Sequence, residues 1–437
     1  THYLPFLDWL VHYRRQDFVG DLLAGVIVAI MLVPQGMAYA LLAGLPPQIG
    51  LYASILPLVI YGLLGTSRTL AVGPVAIVSL LVASGVAPLA DTGTAEYVQL
   101  ALTLAFLVAI LQFIMGVVRL GFLVNFLSHP VLAGFTSAAA IVIGFSQLKH
   151  LMGVNIPRTE YFYEQVLYAA EHFLESNLFT VIIGLGSIAI LLYFKYGLGK
   201  HLKKTGLPES AIVPISKSGP LVVVLLGTIF VVAFNLYDWA GVKIVGDVPA
   251  GLPPITLPVF NFNIWQLLLP TALTISFVGF MESISVAKSL GSKRRQKVDA
   301  DQELVALGAA NFGATFTGGY PVTGGFSRSV VNFAAGANTG LASIITAGLI
   351  GLTVIFLTPL FYYLPSAVLA AIIMVAVFGL IDVKTFKHVW KYNKADAASL
   401  IITFLTVLAA GVETGILVGV AAALLLFVWR ASRPHMA

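Results

Sequence analysis

Hydrophobic residues run along this chain in long, nearly continuous stretches that short polar loops separate. A helix needs about 20 mostly apolar residues to cross a lipid bilayer, and many of the stretches approach that length. The pattern therefore predicts an all-α polytopic membrane protein. The clearest spans are residues 19–42, 49–64, 97–118, 124–148, 179–196, 221–237, 264–290, 304–316, 341–363, 367–381, 395–410 and 415–429.

Two further apolar segments, residues 72–90 and 323–336, are short and interrupted by small residues. They come third and tenth in chain order. With them the sequence predicts about 14 transmembrane segments, and the two odd ones lie seven places apart. This spacing is what two halves of seven spans each would give.

The basic residues agree with this count. If the chain starts in the cytoplasm, all but four of its 24 Lys and Arg residues fall in cytoplasmic segments. Lys149, Arg158 and Lys243 fall outside, and Arg328 lies within the tenth segment. Cytoplasmic loops of membrane proteins carry an excess of Lys and Arg. We therefore expect a multi-pass protein of the cell inner (plasma) membrane with both termini cytoplasmic.

Composition narrows the class of protein further. Hydrophobic residues make up 59% of the chain and charged residues 10%, whereas soluble domains carry about 25% charged residues. The net charge of +5 resides in the loops, so we expect no nucleic-acid partner. The chain has no cysteine, which excludes disulfides, thiolate metal sites and cysteine nucleophiles. Because no phosphate loop, zinc spacing or catalytic cluster is found, we expect no cofactor, no metal and no enzyme activity.

The two odd segments are the candidate binding site. Irregular backbone persists in lipid only where protein or a water-filled cavity covers it, so each segment is expected to be a buried half-helix after an extended stretch. The first amides of such a helix favour anions, and paired interrupted segments indicate a transporter site. The candidate walls are Gly73, Pro74, Val75 and Ala76 on one side, and Gly325, Phe326, Ser327 and Arg328 on the other.

Arg328 adds a full positive charge near the second of these helix starts. An ionisable residue inside a membrane is a functional candidate by default. Three alternatives stay open. Segment 72–90 could be an ordinary helix with Pro74 in its first turn, Arg328 could pair with a carboxylate for structural reasons, and the glycines could serve only close helix packing.

Three more polar residues lie within predicted spans. Glu282 is in the middle of the eighth span, where a carboxylate is costly unless it is protonated or paired. It is predicted to couple transport to protons or to bind a cation, and the alternative is a structural hydrogen bond or a pair with Arg328. Gln35 and Tyr39 lie four residues apart on one helix face. They either line the cavity or pack against neighbouring helices.

Several gapped motifs occur along the chain. They are Pro34-Gln35-Gly36-Met37-Ala38-Tyr39-Ala40, Leu45-Pro46-Pro47, Gly50-Leu51-Tyr52-Ala53-Ser54, Gly65-Thr66-Ser67-Arg68, Ser285-Val286-Ala287-Lys288, and Gly318-Gly319-Tyr320-Pro321 with Ser327-Arg328-Ser329. Together they resemble the signature of the sulfate permease (SulP) family, and the resemblance covers essentially the whole chain. One departure is Ile49, where the family usually has tyrosine.

The resemblance implies a uracil-permease-like 7+7 inverted repeat within residues 1–430. Spans 1–4 and 8–11 (about 19–118 and 264–363) would form a core domain, and spans 5–7 and 12–14 (about 119–240 and 364–430) a gate domain. Residues 431–437 would be a tail outside the fold. Family members usually dimerise, so we expect a homodimer. They normally carry a cytoplasmic STAS domain after the last span, and we expect this chain to depart from them by lacking it, because it ends at Ala437, soon after Trp429.

The resemblance also implies a secondary active transporter of small anions, with the substrate between the N-termini of half-helices 3 and 10. Gln35, Tyr39, Glu282, Ser327 and Arg328 would surround it. The anion could be sulfate, bicarbonate, chloride or a dicarboxylate. We expect proton-coupled symport with elevator-like movement, and sodium coupling stays open. Alternatives are an anion exchanger, a channel-like uncoupled pathway, and a nucleobase carrier, against which the lack of an acid in the tenth segment argues.

Overall fold

The chain is helical throughout most of its length. The computed structural model describes residues 4–125, 129–156, 162–207, 209–392 and 394–431. The predicted tail falls almost entirely outside the described residues. The α-helices are α1 Phe6–Val11, α2 Arg15–Leu42, α3 Pro47–Tyr52, α4 Leu56–Leu64, α5 Ala76–Val86, α6 Ala95–Val117, α7 His129–Ser146, α8 Leu148–Met152, α9 Phe162–Glu171, α10 Leu178–Leu192, α11 Gly199–Lys204, α12 Glu209–Lys217, α13 Gly219–Ala233, α14 Leu236–Trp239, α15 Phe262–Lys293, α16 Ala300–Phe316, α17 Phe326–Ala334, α18 Leu341–Phe356, α19 Ser366–Val377, α20 Val383–Tyr392, α21 Lys394–Ala410 and α22 Val412–Ala431.

Shorter elements connect some of these helices. They are 3₁₀ turns at Leu120–Asn125, Phe173–Glu175, Thr358–Phe361 and Phe378–Leu380, a π turn at Tyr193–Leu198, and the two-residue strands β1 Val72–Gly73 and β2 Thr323–Gly324. The π turn makes α10, the turn and α11 one continuous helical segment.

Within the described residues, seven helical segments are long and apolar enough to cross a membrane. The expected helical membrane class is therefore confirmed. Three shorter apolar helices, α5, α13 and α18, accompany them. The seven segments are Arg15–Leu42, Pro47–Leu64, Ala95–Val117, Pro130–Met152, Leu178–Lys204, Phe262–Lys293 and Ser366–Lys391.

Local sequence accounts for several helix starts. The side chain of Thr94 accepts a hydrogen bond from the backbone N–H of Tyr97 at the start of α6, and Asn177 does the same for Thr180 at the start of α10. Asp299 accepts from two amides at the start of α16. Such N-cap bonds satisfy amides that have no partner within the helix.

The second predicted span is not one straight helix. It is interrupted between α3 and α4. Here α3 packs so closely on α2 that a side chain at Gly50 would collide with the backbone carbonyl of Gly36. Gly50 is therefore required by this close approach of the two backbones.

The two odd segments meet at β1 and β2. The strands pair antiparallel, with Val72 opposite Gly324 and Gly73 opposite Thr323. Gly73 has φ +147°, a conformation that favours glycine. Helices α5 and α17 begin just after these strands. Pro74 therefore lies ahead of α5, and the alternative that places it in the first turn of a helix is wrong.

A buried carboxylate fastens the loop before β1. Glu303, on α16, is fully buried. Its oxygens accept hydrogen bonds from the hydroxyl of Tyr61 at 2.6 Å, from the amide and hydroxyl of Thr66 at 2.7 and 2.6 Å, and from the amide of Ser67 at 3.0 Å. The motif Gly65-Thr66-Ser67-Arg68 is thus held against α16.

A second buried carboxylate fastens the segment after α17. Asp21, on α2, accepts from the amides of Asn338 and Thr339 at 2.7 and 3.0 Å and from the Thr339 hydroxyl at 2.5 Å. Arg294 donates to the carbonyls of Phe333 and Ala337 nearby. These contacts hold α17 at a defined position relative to α2.

Candidate functional site

A cavity of about 340 Å³ lies where α5 and α17 begin. Helices α2 and α15 contribute to its lining, as do α10, α13 and α19. Nine residues proposed from the sequence line it, and the fold brings them together from four separate parts of the chain. They are Gln35, Tyr39, Val75, Ala76, Glu282, Gly325, Phe326, Ser327 and Arg328.

Two predicted residues, Gly73 and Pro74, do not line the cavity. They lie directly behind its arginine. The Arg328 Nη1 donates to the Pro74 carbonyl at 2.7 Å, and a Cβ at Gly73 would lie 3.4 Å from Nη2. Their place in the structure is thus to hold and accommodate Arg328.

Arg328 has unused donors. Its side chain is 2% exposed, and its Nε and Nη2 atoms are buried with no hydrogen-bond partner in the described chain. No acidic oxygen of the described residues forms an ion pair with it. Buried donors without partners are rare and costly, so these atoms are the place where an anionic ligand would be stabilised most.

Both helix starts at the cavity are open. The N-cap of α5 is Val75 and that of α17 is Gly325, and neither receives a side-chain cap. Gly325 also leaves room for the guanidinium, since a Cβ there would lie 2.8 Å from Nη2 of Arg328. The free first-turn amides and the helix dipoles give the cavity a positive potential in addition to that of Arg328.

Glu282 lines the same cavity. Its Oε2 atom is buried and has no hydrogen-bond partner within the described chain. Among the described residues this oxygen accepts no hydrogen bond, and no ion pair with Arg328 is formed. The carboxyl group is therefore free to hold a proton or to meet a ligand.

Gln35 and Tyr39 lie on one face of α2, as their spacing predicts, and both line the cavity. Each is 6% exposed. Met31, one turn earlier on the same face, lines it too. Helix α2 remains continuous through Pro34, so the proline does not break the face that these residues share.

Hydrogen bonds from side chains hold the crossing of β1 and β2. The Ser329 hydroxyl accepts from the Ala71 amide at 2.9 Å, and the Ser283 hydroxyl accepts from the Gly324 amide at 2.8 Å. The Asn332 amide group donates to the Thr69 carbonyl at 3.1 Å. The two helix starts are therefore set relative to each other by a polar framework rather than by apolar packing alone.

Several residues of the cavity were not predicted from the sequence. Lys195 and Lys217 line it, as do apolar residues of α19 such as Ile372 and Val375. The two lysines carry no distinguishing signal, because basic residues near span ends also serve orientation in the membrane. The apolar residues of α19 resemble any other residues of a buried helix.

The arrangement has the chemistry of an anion-binding site. It combines one buried guanidinium with free donors, two open helix starts and small residues that let a ligand approach the backbone. Among the described residues, no group of three or more His, Cys, Asp or Glu side chains could hold a metal ion.

Known proteins with similar sequences are transporters. A sulfate transporter 4.1 (chloroplastic) of Arabidopsis thaliana is 40% identical over 99% of this chain, which spans 62% of that relative's length. A sodium-independent sulfate anion transporter of Bos taurus is 36% identical over 99% of this chain and 73% of its own.

A solved structure has the same fold. The structure of the murine Solute Carrier 26 family member A9 anion transporter in the inward-facing state matches with a TM-score of 0.90 and 28% identity, over 98% of this chain and 71% of that one. The family model described as "Sulfate permease family" matches residues 18–403. This chain, with its open helix starts and buried arginine, therefore belongs to the sulfate permease family.

Proposed function

We propose that this chain is a secondary active transporter of small anions. The observation that carries the proposal is Arg328, which is buried at the cavity with Nε and Nη2 unpartnered between the uncapped starts of α5 and α17. An anion bound there would accept hydrogen bonds from both the guanidinium and the first-turn amides. Charge-assisted bonds of this kind are about twice as strong as neutral ones.

Sulfate is the substrate that we favour. Several relatives are named sulfate transporters, although the chain spans only about three fifths of the length of the plant relatives. A tetrahedral oxyanion offers four acceptors, which suits converging donors. Bicarbonate, chloride and a dicarboxylate remain the competing substrates. A nucleobase is disfavoured because α17 carries an arginine and no acidic residue.

The proposed topology has 14 segments in two inverted halves, with α5 and α17 as half-helices 3 and 10. The antiparallel pairing of β1 with β2 supports it, because matching segments of inverted repeats meet in this orientation. The distribution of basic residues supports cytoplasmic termini in a cell inner membrane. The core and gate domains would then meet at the cavity.

Transport would proceed as an elevator. In this proposal the core domain carries Arg328 and the bound anion past the gate domain, which holds α10, α13 and α19. Helices of both groups line the cavity. An elevator movement requires this, because the bound anion has to lie between the moving and the fixed domain. The protein is proposed to act as a homodimer.

Glu282 would couple anion movement to a proton. A carboxyl group with a buried, unpartnered oxygen beside a cationic site is suited to bind a proton together with the anion. Uncoupled exchange is the second candidate, since Glu282 makes no bond that would need to break during movement.

Uptake by proteoliposomes tests the proposal. The purified protein would be supplied with labelled sulfate, bicarbonate, chloride or a dicarboxylate, and with uracil as control, each with and without an inward proton gradient. Accumulation of sulfate driven by the gradient is the expected result. Flux of several anions without dependence on the gradient would support exchange or a channel-like pathway instead. Uracil uptake without anion uptake would overturn the proposal.

A further inference from the structure

The lining of the cavity includes two cations besides Arg328 that the proposed function does not use. Lys195, in the π turn after α10, and Lys217, the last residue of α12, both line the cavity. The neighbouring Lys200 and Lys204 do not. Position in the chain alone therefore does not explain why the first two lysines face the ligand space.

Lys195 is held in place at the rim. Its amine donates to the carbonyl of Val375 at 3.1 Å, in the last turn of α19. Gly379 makes room for it, since a Cβ there would lie 3.3 Å from Nζ. An ammonium group has three donors, so two remain for a ligand after the bond to Val375.

Lys217 ends helix α12, which packs against the π turn that carries Lys195. It is partly buried. The pKa of Lys217 is lowered, first by burial and second by the charge of Lys195. Two ammonium groups that repel each other at the edge of a cavity are stabilised when an anion binds between them.

The cavity has few negative charges to offset these lysines. Among the described residues that line it, Glu282 is the only acidic one, and it belongs to α15. The volume of about 340 Å³ equals that of about eleven water molecules at ~30 Å³ each. A small oxyanion at Arg328 would therefore leave space for a second position.

We propose that Lys195 and Lys217 form a second anion-binding site on the rim of the cavity, which holds a doubly charged oxyanion such as sulfate on its way to or from Arg328. The proposal rests on the proposed anion transport, and it assigns the two lysines to substrate capture. Two point charges favour a divalent over a monovalent anion. The site would act on the affinity for substrate and not on the movement of the core.

The test compares the variant K195Q/K217Q with the matched control K200Q/K204Q, whose lysines are exposed and outside the cavity. Sulfate uptake by proteoliposomes would be measured against sulfate concentration and ionic strength. We expect K195Q/K217Q to raise KM roughly three- to tenfold and to weaken its dependence on ionic strength, with the maximal rate within about twofold. K195R/K217R should restore the parent KM, and chloride should be affected less than sulfate.

Three results would overturn the proposal. These are an unchanged KM in K195Q/K217Q, an equal rise in K200Q/K204Q, or an effect seen only in vesicles with anionic lipid, which would mean that the lysines bind a lipid headgroup. Size-exclusion chromatography checks that each variant is folded. If K195Q/K217Q does not fold, the folded variant K195R/K217R still allows the test to be made.

Equilibrium binding of labelled sulfate to the detergent-solubilised protein separates this site from the main one. R328A should keep weak binding that the further changes K195Q and K217Q abolish. If sulfate binds neither the parent nor R328A, the proposed function is wrong. If the parent binds it and the lysine changes have no effect, only the second site is wrong.

Discussion

Two glutamates on apolar helices of this chain have opposite surroundings. Glu303 accepts four hydrogen bonds from three residues, whereas Glu282 has a buried oxygen with no partner. A buried carboxylate is costly unless its oxygens are satisfied. The contrast teaches that acidic residues within apolar helices serve different ends, and that hydrogen-bond partners distinguish them.

Two arginines, Arg294 and Arg328, also differ in how many of their donors have hydrogen-bond partners. Arg294 directs its guanidinium to the carbonyls of Phe333 and Ala337 and to the side chain of Asn338. Arg328 makes one bond, to Pro74, and leaves Nε and Nη2 free. Glu303 and Arg294, whose side chains have hydrogen-bond partners, belong to the framework. Glu282 and Arg328, which have polar atoms without partners, line the cavity.

The largest effect is expected from Glu303→Ala. It leaves the amides of Thr66 and Ser67 and the hydroxyl of Tyr61 without an acceptor, and each unsatisfied buried group costs about 1–3 kcal/mol. We expect loss of the monodisperse peak in size-exclusion chromatography. The exposed Glu96→Ala is the control. A folded and fully active Glu303→Ala protein would remove the contrast between the two glutamates.

Arg328→Ala should abolish function and spare the fold. Hydrogen bonds to charged groups contribute about 1.5–3 kcal/mol, so sulfate uptake at low concentration should fall roughly 10- to 100-fold. The thermal midpoint should fall only a little, because Nε and Nη2 have no partner in the described chain and the bond lost is the one from Nη1 to the Pro74 carbonyl. The exposed Arg15→Ala serves as control. Near-normal uptake by the Arg328→Ala protein would mean that the anion binds elsewhere.

Glu282→Gln should change the response to pH more than the rate. Glutamine keeps the shape of a protonated carboxyl group but cannot release the proton, so uptake should no longer depend on external pH. The measurement is initial sulfate uptake across acidic to neutral external pH at fixed membrane potential. A variant that keeps the full pH profile would assign coupling to another group and leave Glu282 without a transport role.

Tyr320→Phe should have the smallest effect. Its hydroxyl and that of Ser79 lie 2.8 Å apart and are both buried. Removing one partner should destabilise the protein by about 1–3 kcal/mol, whereas Ser79→Ala with Tyr320→Phe should be closer to neutral. Thermal unfolding of the two single variants and the double variant measures this. Additive losses would show that the two hydroxyl groups do not depend on each other.

Much of the fold could be predicted from the sequence. Long apolar stretches and their breaks are local properties, and they located the membrane helices and the two short segments. The pattern also marked Arg328, because a charge in such a segment is unusual. It did not reveal that α5 begins after Pro74, since a proline at a helix start and one just ahead of it give the same pattern.

Only some of the residues that line the candidate site could be predicted from the sequence. Gln35 and Tyr39 were assigned from helical spacing, and the cavity-lining starts of α5 and α17 from helix breaks. The residues contributed by α10, α12 and α19 were missed. Their positions depend on contacts between parts of the chain that are far apart in sequence, such as the bond from Lys195 to Val375.

The sequence by itself determined that this chain is a helical membrane protein of the sulfate permease family with two interrupted segments and a charged residue in one of them. Hydropathy, helix breaking and motif spacing are read along the chain and need no neighbours. Only the tertiary structure decided which buried charges are satisfied. A carboxylate of α16 receives its donors from residues more than 200 positions away, and no local pattern records that Glu282 and Arg328 receive too few.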